Sequence, residues 1–192
     1  MSELPLIAVT DSATCPRPLA EQIERLTKLT ELRPQAVILR AKSLDKAAYC
    51  SLALQAQQSC EAAGIPLILH SDWQLARELG ISMLHLPLAL LRQISEYERA
   101  YFTWLSTSVH SVGEAQEAQE LGATVLIAGH IYTTQCKAGL APRGLGFLQA
   151  VCSAVSLPVY AIGGIGFDAT QHAELQANGA RGACVMSAYM RL

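Results

Sequence analysis

The sequence predicts a single (β/α)8 TIM barrel in which residues 1–192 form one domain. Three observations lead to that architecture. Short, uninterrupted apolar runs alternate with helix-forming segments, and eight such units can be counted. The chain is 51% hydrophobic and 16% charged over 192 residues, enough for one large core and too short for two ordinary domains. An open doubly wound sheet is the alternative, but the dinucleotide GxGxxG signature is absent, and Gly163-Gly164-Ile165-Gly166 has neither its spacing nor its early position.

Leu6 to Thr10 reads as the first strand, and Leu19 to Leu32, with Leu19, Ile23, Leu26 and Leu29 on one face, as the first helix. Ala36 to Leu39 is the second strand. The alanine- and glutamine-rich stretch Lys46 to Ala63 is the second helix, stopped by Gly64, a residue suited to a left-handed terminus. Pro66 to Leu69 is strand three, and Trp73 to Leu79 a short helix ended by Gly80. Met83 to Leu86 is strand four, cut by Pro87, and Tyr101 to Ser108 is strand five.

Ser111 with Glu114 three residues on has the form of a capping box, opening a helix that Gly122 ends. Ala123 to Ala128 is strand six, Leu145 to Val155 a helix, and Leu157 to Ile162 strand seven. Asp168 to Ala177 is a further helix, closed by Asn178-Gly179, and Arg181 to Met186 is strand eight. After it only Ser187 to Leu192 remain, less than two helical turns, so the last outer helix is expected to be truncated or missing. A second copy of the chain is then expected to cover the bare flank, making a homo-oligomer.

In such a barrel the chemistry sits at the C-terminal ends of the strands. Those ends are polar here: Thr10-Asp11, Arg40 and Lys42, His70-Ser71-Asp72, His85, Ser108 and His110, His130 through Lys137, Gly163-Gly164, and Met186-Ser187. Arg40 and Lys42 stand two apart, so in an extended stretch both project to one side and can grip an anion. Gly163-Gly164 and Met186-Ser187 each follow a strand and precede a helix or its stub, where backbone N–H groups favour a phosphate. His130 follows Gly129 at a strand end, where an imidazole suits proton transfer near neutrality. His70, His85 and His110 have weaker claims as mouth-lining groups, and His172, in mid-helix, is expected at the surface.

Several function classes are excluded or disfavoured. The histidines lack HxH or HxxxH spacing, which argues against zinc. The six cysteines form no CxxC pair and read as reduced and structural, with Cys136 an improbable nucleophile despite its place in the active loop. A net charge of -2 without a basic run gives no nucleic-acid surface. No apolar run reaches eighteen residues and the N-terminus lacks a signal pattern, so no membrane partner and a cytoplasmic location are expected.

Taken together, Ala8-Val9-Thr10-Asp11, Leu39-Arg40-Ala41-Lys42, Ser108-Val109-His110-Ser111, Gly129-His130-Ile131-Tyr132-Thr133-Thr134, Lys137 and Pro158 to Ile165 resemble the thiamine phosphate synthase and thiazole tautomerase (TenI) superfamily over nearly the whole chain. The resemblance implies the same barrel and two candidate reactions. The synthase couples a hydroxymethylpyrimidine diphosphate to a thiazole phosphate with Mg2+, releasing pyrophosphate, and similar sequences carry an acidic pair after strands three and four. Asp72 matches the first member as a metal ligand. The second is absent, since that segment reads Leu86-Pro87-Leu88-Ala89-Leu90, and Ile38 replaces a glutamine before Arg40.

The tautomerase branch is matched more closely, by Gly129-His130-Ile131-Tyr132, Thr134, Cys136-Lys137, Gly139-Leu140 and Arg143-Gly144. It implies an isomerase without a cofactor, in which His130 moves a proton on a carboxythiazole phosphate. Gly163, Gly164, Met186 and Ser187 would hold the substrate phosphate. Arg40 and Lys42 would attract a carboxylate or second anion, Ser108 and Thr134 would contact substrate, and Lys137 would close the loop. A non-catalytic binder of thiamine or thiazole phosphates is the third alternative.

Overall fold

A computed structural model describes residues 4–135 and 139–192. Eight parallel strands, β1 (Leu6–Val9), β2 (Ala36–Leu39), β3 (Leu67–His70), β4 (Met83–Pro87), β5 (Trp104–Val109), β6 (Val125–Gly129), β7 (Val159–Ile162) and β8 (Gly182–Val185), close into a barrel in sequence order. The last strand pairs with the first, with Ile7 opposite Cys184. The eight-stranded (β/α)8 architecture read from the sequence is therefore the observed one.

The helices are α1 (Leu19–Thr27), α2 (Lys46–Ala63), α3 (Trp73–Glu78), α4 (Leu88–Leu91), α5 (Glu96–Arg99), α6 (Val112–Glu120), α7 (Gly144–Ala154), α8 (Ala169–Ala177) and α9 (Ser187–Arg191). Their ends follow local chemistry. Asp45 accepts the Ala48 N–H at 2.8 Å to open α2, and Gly64, at φ 64°, closes it in the left-handed region. Asp168 caps α8 by accepting from Thr170 and Gln171. At α6 the expected capping box is altered: Ser111 accepts from Glu114 N–H at 3.1 Å, but the Glu114 carboxylate reaches past Ser111 to the His110 N–H at 2.6 Å.

Strand five begins later than the sequence suggests, at Trp104. Ser95 and Glu98 form a complete capping box that nucleates α5, and the Tyr101 and Phe102 N–H groups bond back to Glu98 and Arg99 carbonyls. Residues 101–102 are thus spent on the helix exit rather than on the sheet. Among the described residues no helix is long and apolar enough to cross a membrane.

Side chains alternate between two cores. One set, including Leu39, Leu69, Leu84, Leu126 and Val185, packs outward against the helices. The other fills the barrel with Ile7, Ile38, Ile68, Val125, Ile127, Tyr160 and Cys184. The interior is not uniformly apolar. On the β4–β5 side His85 is buried, its Nδ1 3.0 Å from Ser106 Oγ and its Nε2 3.0 Å from Ser108 Oγ. Burial holds its pKa down at about 3, with the nearby His70 as the lesser cause, so the ring is neutral and both nitrogens are satisfied by hydroxyls.

The short C-terminal helix is structural. Tyr189 and Met190 of α9 are fully buried. The Tyr189 ring meets Phe167 edge-on at 4.9 Å, its hydroxyl donates to the Leu32 carbonyl at 3.0 Å, and its own carbonyl accepts from Gln22 Nε2 at 2.6 Å. The flank expected to be bare therefore carries a truncated helix that ties β8 to α1.

Two outcomes follow from this packing. Tyr189→Ala should lower the unfolding free energy by about 3–5 kcal/mol in a denaturant titration, whereas Tyr189→Phe, which loses only the bond to Leu32, should cost about 1 kcal/mol. His85 is neutral when folded and has a pKa of 6.5 when unfolded, so the unfolded chain binds the extra proton. Stability should therefore fall as pH drops from about 6.5 toward 3, and His85→Gln should remove roughly 3 kcal/mol of the loss between pH 7 and pH 4.

Candidate active site

The C-terminal strand ends enclose a cavity of about 710 Å3. Its floor is formed by barrel-lining side chains such as Val9, Ile38 and Ile127. Its rim brings together Arg40, Lys42, His70, His85, Ser108, His130, Thr134, Gly163, Gly164, Met186 and Ser187. Every anion-binding or catalytic candidate from the sequence that the structure describes thus reaches one cavity. Lys137 and Cys136 lie outside the described residues. Asp72, the candidate metal ligand, lines a neighbouring space of about 470 Å3 that shares Lys42, His70 and Pro87 with the first.

His130 stands at the end of β6 and is only 5% exposed. The backbone around it is tightly determined. Ile131 N–H donates to the Ile162 carbonyl at 2.9 Å and Tyr132 N–H to the Gly163 carbonyl at 3.0 Å, continuing the β6–β7 pairing past the strand ends. A Cβ on Gly163 would lie 2.3 Å from the His130 Cβ, and Gly163 sits at φ 103°, so no other residue fits there without displacing the histidine. Gly164 is pressed equally closely on the Thr133 carbonyl. Gly163, expected as part of a phosphate cradle, is what lets His130 occupy its place.

Among the described residues the imidazole makes one polar contact: Nε2 lies 3.4 Å from the Leu140 carbonyl oxygen. Its Nδ1 is buried with no hydrogen-bond partner among those residues. A buried, unpaired ring nitrogen is costly in a structural histidine and points to chemistry.

The basic pair is not two equivalent free cations. Arg40 forms an ion pair with Asp11, and Thr10 holds the Arg40 backbone by both accepting from its N–H and facing its carbonyl at 2.8 Å. Lys42 is exposed and stands between the two cavities. Burial, then the Arg40 and Lys42 charges, hold the His70 pKa down to about 4, so His70 is neutral across the physiological range. Its Nδ1 bonds Ser71 Oγ at 2.6 Å. The Tyr49 hydroxyl donates to the Leu39 carbonyl at 2.8 Å and faces the His70 N–H at 3.2 Å, locking the ends of β2 and β3 together.

Asp72 caps α3, accepting the Leu75 N–H at 2.9 Å. Among the described residues no group of three or more His, Cys, Asp or Glu side chains could hold a metal ion. Asp11 is engaged by Arg40, and the 86–90 segment carries no carboxylate. His172 differs from its expected surface role: its Nε2 meets the Gly166 carbonyl at 2.8 Å and braces the loop before α8.

Two contributors lie beyond the residues that sequence reasoning ranks highest. The His85 array is legible in principle, because His85, Ser106 and Ser108 share the inward parity of Met83 and Trp104 along their strands. Arg143 enters the sequence reading only through the Arg143-Gly144 match to the tautomerase branch, and its role is not legible from strand parity because its hydrogen-bond partners are main-chain carbonyls: its Nε donates to Gly129 O at 3.1 Å and its backbone N–H to His130 O at 3.0 Å.

Comparison with known proteins places the chain. The family model described as thiamine monophosphate synthase matches residues 6–189. A thiamine-phosphate synthase of Listeria monocytogenes serotype 4b (strain CLIP80459) is 37% identical over 145 residues, which is 73% of this chain and 66% of that protein. The chain therefore spans just under two thirds of that relative's length. A thiamine-phosphate synthase of Herpetosiphon aurantiacus is 38% identical over 157 residues, 79% of this chain and 73% of the relative. Among solved structures, thiamine phosphate pyrophosphorylase from Pyrococcus furiosus superposes with a TM-score of 0.79 at 23% identity, covering 98% of this chain and 88% of that one, which supports the fold. With the match running through all eight strands, the chain belongs to the thiamine monophosphate synthase family.

Proposed function

We propose that this protein is an enzyme of thiamine biosynthesis that isomerises a carboxythiazole phosphate by proton transfer at His130. The observation that carries the reading is the enclosed His130 imidazole, with Nδ1 unpaired among the described residues, set against glycines in a cavity at the strand ends. Gly163, Gly164, Met186 and Ser187 line the cavity together and form its phosphate end, where backbone N–H groups can meet the phosphate. Lys42 and the Asp11-paired Arg40 supply positive charge toward the substrate carboxylate. The neutral imidazole takes the proton from the ring carbon, becomes imidazolium, and returns that proton to the exocyclic carbon, so the ring becomes aromatic with no net gain or loss of protons. Ser108 and Thr134 line the same wall and contact the bound ring.

A second reading is the coupling of a pyrimidine diphosphate to thiazole phosphate, and the names carried by the relatives favour it over isomerisation. Against it stands the carboxylate inventory. Displacing a diphosphate calls for strong neutralisation of its charge, whereas Asp11 is engaged by Arg40 and the Asp45 and Asp72 carboxylates of the neighbouring space each cap a helix.

Purified protein offered carboxythiazole phosphate should produce the aromatic absorbance without Mg2+ and without pyrophosphate. His130→Asn should lower kcat by about 10²- to 10⁴-fold at unchanged thermal stability. Pyrophosphate release that requires Mg2+ and both coupling substrates, with no aromatisation alone, would decide for the second reading. Arg40→Ala should raise KM and weaken the salt dependence of kcat/KM, measured by initial rates across ionic strength.

A further inference from the structure

We infer that the 139–144 loop fixes the tautomer of His130, with the ring proton on Nε2 and the lone pair on Nδ1, and that Arg143 is the positioning residue that holds this arrangement. The inference rests on the tautomerase reading for its chemistry, while its geometry stands independently. A carbonyl oxygen can only accept a hydrogen bond, so the Leu140 carbonyl facing Nε2 at 3.4 Å requires the proton of the neutral ring to be on Nε2. The lone pair is then on Nδ1. That atom has no hydrogen-bond partner among the described residues, and it is closed to water. The opposite tautomer would aim two lone pairs at each other and bury an unpaired N–H donor, so it is disfavoured at both nitrogens.

Arg143 ties the loop to the strand that carries the histidine. Its Nε donates to the Gly129 carbonyl at 3.1 Å, its backbone N–H to the His130 carbonyl at 3.0 Å, and the next N–H, from Gly144, to the Ile131 carbonyl at 3.0 Å. Three consecutive carbonyls around the histidine are thus held by two residues. The guanidinium lies over the Phe147 ring at 5.5 Å, which anchors it to α7. Leu140 is three residues upstream of this anchor, so its carbonyl stays opposite Nε2 only while Arg143 keeps the loop in register. On the other side, Gly163 fills the space behind the His130 Cβ. The ring is therefore clamped between β7 and the loop.

The test is nitrogen NMR of the intact protein labelled with 15N-histidine, with His130→Asn assigning the signal. The expected spectrum shows a protonated Nε2 and an unprotonated Nδ1 for neutral His130; a protonated Nδ1 would overturn the inference whatever the activity. Arg143→Met keeps the aliphatic bulk and removes the Nε donor. It should give a mixed tautomer and lower kcat roughly ten- to a hundredfold with KM nearly unchanged. Arg143→Lys, which restores the charge but not the planar donor, should recover little. An Arg143→Met protein with the wild-type tautomer signal and wild-type kcat would remove Arg143 from the role. Because the NMR measurement needs no turnover, an inactive protein with the expected tautomer would refute the tautomerase reading and leave the clamp intact.

Discussion

The site depends on how closely the backbone leaving β7 approaches the backbone leaving β6. A side chain on Gly129 would meet Ile162 at 2.5 Å, and one on Gly163 would meet the His130 Cβ at 2.3 Å. Only with hydrogens at both places can Ile131 and Tyr132 donate across to Ile162 and Gly163 and carry the ladder beyond the barrel. The pairing settles where the main chain of His130 runs, and the 139–144 loop then closes on the ring.

Around that fixed point the barrel mouth divides into two chemically different halves. The β6–β8 side contributes glycines and an enclosed, under-bonded imidazole. The β2–β5 side contributes cations and two neutral histidines whose hydrogen bonds to serines are made within the protein. His70 and His85 are held neutral by burial and, for His70, by Arg40 and Lys42 as well, so they are poor proton acceptors near neutrality. His130 is the cavity histidine whose ring carries a nitrogen both buried and unpaired among the described residues. Arg40, restrained by Asp11 and Thr10, is a fixed charge rather than a searching one, which suits recognition of an anion in a set orientation.

Much of the fold is legible in the sequence because parallel strands buried on both faces leave short apolar runs that few other elements produce. Boundaries differ where local capping wins over strand propensity: Ser95 and Glu98 pull Tyr101 and Phe102 into a helix exit, although their aromatic side chains favour a strand. The cavity residues are legible because they follow strands. His85 stands within its strand instead, and only its alternation with Leu84 and Leu86 marks it as turned inward. Arg143 cannot be found that way, since a side chain that bonds only main-chain carbonyls leaves no pattern of partner residues in the sequence. The resemblance to the superfamily is supported by the family match, while the choice between its reactions turns on single residues, His130 and the missing carboxylate, that overall similarity averages away.

Whether one enclosed imidazole both removes and returns the same proton can be read from isotope transfer. Carboxythiazole phosphate carrying deuterium on the ring carbon, turned over once in ordinary water, should give an aromatic product that keeps most of the label on the exocyclic carbon. Complete loss of the label to water in the wild-type protein would show that the proton leaves the site between the two steps, and would contradict the role of His130 as a sequestered shuttle.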